Sequence, residues 1–129
     1  MLDTNILISA FVFKSKIMNE LIYILSTKHE IFICSYVVDE LRNIVKNKFN
    51  VKADELEEFF EKFPFTLVYS PSNVNKKKFK IRDENDYIIL YTAIIEEIDV
   101  LITGDKDFFA VDIEKPEIIT AKDFLEKYS

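Results

Sequence analysis

Residues 100–109 read VLITGDKDFF. A short apolar run leads through Thr103 into the only glycine of the chain, and two aspartates follow, one residue apart. The run has the length and bulk of a buried strand. Gly104 reads as a sharp turn after it, because a residue without Cβ tolerates backbone that others avoid. Such a turn would aim Asp105 away from the carboxyl end of the strand. Phe108 and Phe109 would then anchor the KDFF segment to the core. The position matters because open α/β sheets bind ligands beyond the carboxyl ends of their strands.

Working outward, the same alternation recurs. IFIC at 31–34, FTLVYS at 65–70 and PEIITA at 116–121 read as further short strands, and MLDTNILI opens as a strand stub broken by Asp3. Between them lie helical patterns. Ile17, Met18, Leu21, Ile22, Ile24 and Leu25 follow a helical period, and Ser35 stands at the N-cap position before YVVDELRNIVKNKF. VKADELEEFFEKF is acidic early and ends at Pro64; DENDYIILYTAIIEEI (83–98) is the longest apolar helix; AKDFLEKY closes the chain. Strands alternating with helices predict an α/β domain with a mainly parallel central sheet. No repeat or linker divides the chain, so residues 1–129 read as one domain.

Composition narrows the function. Apolar residues make up 49% of the chain, enough for a core, and the net charge is -6. That balance argues against a basic nucleic-acid coat but allows an enzyme on nucleic acid whose bound metal reverses the local field. One cysteine, Cys34, excludes an internal disulfide. No run approaches the ~18 apolar residues of a membrane span. These features predict a soluble, cytoplasmic protein.

Acids are placed unevenly. Asp3 and Asp105 follow strand-like runs; each also suits a plain cap or turn. Glu40 shares a helical face with Val37, Leu41 and Ile44, whereas Asp39 falls on the solvated side with Arg42, Asn43 and Lys46. Asp86 shares a face with Ile89, Leu90 and Ala93, one turn after Asp83. An acid on an inner face is costly unless it is paired or binds a cation.

Other chemistries lack their parts. One histidine, His29, and one cysteine cannot build a zinc site, and one glycine cannot build a dinucleotide or phosphate loop. Clustered carboxylates repel and suit a hard divalent cation, Mg²⁺ or Mn²⁺. Such a site activates water for attack at phosphorus.

The segments LDTNILISA, SYVVDELRNIV, RDENDYIILYTA and DVLITGDKDFF, in this order, resemble the PIN-domain nucleases, above all the toxin ribonucleases of prokaryotic toxin–antitoxin pairs. The resemblance spans almost the whole chain. It implies a three-layer α/β/α fold, Mg²⁺- or Mn²⁺-dependent cleavage of RNA, a homodimer and a small antitoxin partner. Its catalytic, metal-holding acids fall on Asp3, Glu40, Asp86 and Asp105. Asn5 and Thr103 match supporting polar positions, and Asp107 a supporting or structural one. Only Met1 and Leu2 precede Asp3, where the family usually has several more residues; a truncated start or a very short first strand is expected. Glu84, Asn85 and Tyr87 also depart from the common pattern.

The sequence therefore points to a metal-dependent ribonuclease. Lys14, Arg42, Arg82 and Lys106 flank the motifs and are candidate contacts to substrate phosphates. Competing readings are a metal-dependent phosphatase, a phosphoacceptor domain and a non-catalytic PIN-like scaffold. Phe49, Phe59, Phe60 and Phe63 are expected at an exposed, self-associating face.

Overall fold

A computed structural model describes residues 1–74, 80–81 and 83–129. The chain runs α1 (Thr4–Ile8, continued by a π-helical turn, Ser9–Phe13), α2 (Lys16–Lys28), β1 (Ile31–Cys34), α3 (Ser35–Lys48), α4 (Ala53–Lys62), β2 (Phe65–Val68), α5 (Glu84–Ile95), β3 (Val100–Ile102), α6 (Lys106–Phe109), β4 (Glu117–Ile119) and α7 (Ala121–Tyr128). The π-turn ends at Lys14, which adopts left-handed backbone with φ 49°.

Two parallel strand pairs form the sheet. Ile31 through Cys34 lie opposite Phe65 through Val68, and Val100 through Ile102 lie opposite Glu117 through Ile119. Residues 1–3 join the pairs. The Leu2 N–H donates to Phe32 O at 3.2 Å, while Ile102 N–H donates to Met1 O at 2.9 Å. Leu2 is bridged to Ile102 in parallel sense. The spatial order is thus β2, β1, residues 1–3, β3, β4, and Asp3 emerges at its centre.

Helices cover this sheet in a three-layer α/β/α arrangement. α2 packs on α7, and α1, α4 and α5 all pack on α3. Leu2, Leu7, Leu21, Ile33, Leu41, Leu56, Leu90, Leu101 and Phe108 are fully buried between the layers. Burying each such side chain contributes about 1.5–3 kcal/mol. No helix among the described residues is long and apolar enough to cross a membrane.

Several local expectations are corrected. The stretch after Asp3 is helical, because Asp3 caps α1: its Oδ1 accepts from Ile6 N–H at 2.9 Å. Ser35 is the first helical residue rather than the cap, and its Oγ accepts from Ser70 N–H at 2.9 Å, tying α3 to the chain leaving β2. Gly104 has no left-handed backbone, and a Cβ built there meets nothing within 4 Å, so the turn does not demand glycine. Phe108 is buried as expected, but Phe109 is 44% exposed. The four phenylalanines expected at an open face are instead used internally. Phe63 is buried, Phe59 stacks on it at 4.9 Å, and Phe49 and Phe60 pack partly buried on the core.

Candidate active site

The carboxyl edge of the sheet delivers acids from separate elements to one cleft of about 160 Å³. Asp3 arrives from the central stub, Glu40 from α3, Asp86 from α5 and Asp105 from the end of β3; all four line the cleft, with Asn5 beside them. Glu40 is half-buried and Asp39 exposed, as the helical face required. Asp83, Asn85 and Thr4 also line it.

Two of these acids are helix caps as well. One oxygen of Asp3 caps α1, and Oδ1 of Asp105 accepts from Asp107 N–H at 2.9 Å at the start of α6. The structural role and a site role are therefore compatible, since a carboxylate has two acceptor oxygens. The second oxygen of Asp3 accepts a hydrogen bond from Thr103 Oγ1. Thr103 Oγ1 in turn accepts from Asp105 N–H at 3.1 Å. This buried threonine ties together the two acids that leave adjacent strands.

The tightest carboxylate group is Asp86, Asp105 and Asp107, each offering one oxygen within 4.8 Å of the others. The sequence had assigned Asp107 only a supporting part. Its closeness follows from the cap of α6, where its N–H donates to Asp105 Oδ1, and from the packing of α6 on α5; the spacing DKD was the available signal.

Burial and crowding favour the protonated forms of Asp86 and Asp3. Asp86 is pushed up to about 8, first by burial, then by its hydrogen bond to Asp105 and that residue's charge, then by Asp83 and Asp3. Asp3 is raised to about 6, again chiefly by burial, against the opposing hydrogen bonds from Thr103 and Ile6. Among the described residues, the buried oxygens Asp86 Oδ2 and Thr4 Oγ1 have no hydrogen-bond partner. A buried polar atom without a partner is costly. Hard oxygen donors, excess negative charge and an orphaned carboxylate oxygen together fit a divalent cation such as Mg²⁺ or Mn²⁺.

Tyr36 is a neighbour the sequence did not single out. Its hydroxyl approaches Glu40 Oε2 at 3.3 Å and is hydrogen-bonded to Asn85 Oδ1. Burial and the Glu40 carboxylate push it up to about 12, so the phenol remains a donor at neutral pH.

The candidate phosphate contacts separate. Lys106 is exposed, next to Asp105. Arg42 is engaged elsewhere: Nε and Nη2 donate to Glu57 at 3.1 and 2.8 Å, and the guanidinium lies 5.4 Å from the centre of the Phe60 ring. Lys14 lines a different groove, between α2 and α4. Arg82 lies outside the described residues.

An α/β/α domain with acids converging at the carboxyl edge of a parallel sheet defines a recognisable class of fold and site. Residues 1–107 match the family described as PIN domain, and the chain belongs to that family. The fold is similar to a chain in the crystal structure of VapBC2 from Rickettsia felis bound to a DNA fragment from their promoter. The TM-score is 0.71 at 22% sequence identity, covering 92% of this chain and 95% of that one. No curated protein matches.

Proposed function

We propose that this chain is a divalent-metal-dependent ribonuclease and the toxin of a toxin–antitoxin pair. The observation that carries the reading is the convergence of Asp3, Glu40, Asp86 and Asp105, from four elements, on one cleft. The likeness to a chain of a VapBC2 structure supports an antitoxin partner. Self-association as a homodimer is proposed from the family resemblance, with exposed Tyr23, Val51 and Tyr69 as available apolar surface; light scattering at about micromolar concentration tests it.

Asp86, Asp105 and Asp107 would hold the cation, with Asp3 and Glu40 completing the charge around it. When bound, Mg²⁺ or Mn²⁺ would supply a water of lowered pKa and neutralise charge on the phosphate. Asp86 must release its proton for this, and Asp105 beside it would no longer oppose that release. Asp3, held by Ile6 and Thr103, keeps the floor of the cleft rigid. Lys106 would meet the substrate backbone; Arg42 would do so only by leaving Glu57.

Cleavage of an oligoribonucleotide, measured with Mn²⁺ and with chelator, tests the reading. Metal-dependent cleavage of internal bonds is expected. Hydrolysis of a small phosphomonoester with no attack on RNA would favour the phosphatase reading, and no metal binding at all would favour the scaffold.

A further inference from the structure

We propose that Tyr36 is a positioning residue for Glu40, and that with Asn85 it straps α3 to α5 across the mouth of the acid cleft. The proposal rests on the metal-dependent reading above. Its starting point is a difference among the cleft acids. Asp3 and Asp105 are short and are fixed by backbone N–H groups at helix starts. Asp86 is held by burial. Glu40 lies in the middle of α3, caps nothing, and carries a longer side chain at a half-buried position. The Tyr36 hydroxyl, at 3.3 Å from Oε2, is its one hydrogen-bond partner among the described residues. Tyr36 thus does for Glu40 what backbone donors do for the aspartates.

The phenol is itself well placed for this. Tyr36 and Glu40 are one turn apart on the same helical face. The ring packs partly buried on the core, and the Tyr36 N–H donates to Ser70 Oγ at 3.4 Å. Asn85, whose carbonyl oxygen meets the hydroxyl, directly precedes Asp86 on α5, and its own N–H donates to Asp83 Oδ1 at 2.8 Å. A phenol has one hydrogen and here faces two acceptors, so it serves Asn85 or Glu40 at any moment. When the hydrogen lies towards Glu40, the hydroxyl holds that carboxylate at the cleft it shares with Asp86 and Asp105.

The test is Mn²⁺ binding to the full chain by calorimetry, for wild type, Tyr36→Phe, Glu40→Gln and the double variant, with melts in chelator as a folding control. Tyr36→Phe keeps the ring and its packing. It is expected to raise the Kd for Mn²⁺ roughly 10-fold, in line with loss of an outer partner of a metal ligand. In the Glu40→Gln background the same change is expected to have under about twofold effect, because the two residues act as one unit. Equal Kd values for wild type and Tyr36→Phe, with wild type binding Mn²⁺, would overturn the proposal alone. So would an equal loss in both backgrounds, or weaker binding that accompanies a lower melting temperature in chelator, either of which marks a structural role. Absence of Mn²⁺ binding by wild type would overturn both this and the metal-dependent reading.

Discussion

Asp86 on α5 and Asp105 at the start of α6 lie against each other, and with burial this contact keeps a proton on Asp86 up to about pH 8. Among the described residues no basic side chain pairs with either carboxylate to offset the charge; Asp107 adds a third carboxylate to the group. Carboxylates thus crowd most closely where α5 meets the start of α6.

The stability that Asp3 and Asp86 contribute without metal is expected to fall as pH rises. An unfolded aspartate titrates near 3.9, roughly, whereas folded Asp3 is raised to about 6 and folded Asp86 to about 8. Between those limits each of these two acids binds more protons in the native state than in the unfolded chain, so their contribution to the slope of stability with pH is negative; the buried Met1 amine, lowered from 8.0 to about 5, contributes a slope of the opposite sign. The contribution is complete below the unfolded value and is lost through the folded ones. In chelator the melting temperature of Asp86→Asn should gain on that of wild type from about pH 5 to about pH 8.5, because the variant lacks the Asp86 contribution while sharing all the others. A difference between the two proteins that stays constant across this window would refute the proton-sharing account.

Divalent metal should reverse that trend. A cation that binds only the folded site stabilises by about 2.7 kcal/mol at ~100 times its Kd, roughly 10 °C for a domain of this size. The shift should be larger near pH 8 than near pH 6, roughly, since the cation must displace the Asp86 proton. Asp86→Asn should melt no lower than wild type in chelator and lose most of the shift with Mn²⁺. A lower melt in both conditions would make Asp86 a structural residue.

Glu40 and Asp39 are neighbours with opposite surroundings, one half-buried in the cleft and one exposed. Glu40→Gln is expected to lower metal-dependent RNA cleavage by at least roughly 100-fold, and Asp39→Asn to leave it within about twofold. Equal rates from the two variants, in a gel assay of a labelled oligoribonucleotide, would contradict the assignment.

Phe108 and Phe109 divide in the same way. Phe108→Ala should cost about 3–5 kcal/mol by emptying a fully buried site, while Phe109→Ala should fall within about 0.5 kcal/mol. Urea melts compare them directly. Gly104→Ala should also be close to neutral, because its Cβ enters open space; a large loss of stability would show that the turn does need glycine.

By itself the sequence determined what depends on near neighbours along the chain. The period of Val37, Leu41 and Ile44 placed Glu40 inside and Asp39 outside, and short apolar runs before polar residues marked all the named strands, because burial on one face imposes those patterns locally. The motifs also pointed to the PIN-domain family to which the chain belongs. Tertiary structure alone decided which oxygens meet. Thr103 reaches Asp3 from one hundred residues away, Tyr36 on α3 reaches Asn85 on α5, and Asp107 joins Asp86 because α6 packs against α5. The freedom of Gly104, the exposure of Phe109 and the inward packing of Phe59 and Phe63 were equally hidden. Each depends on the space left by elements distant in sequence, and no local period encodes that space.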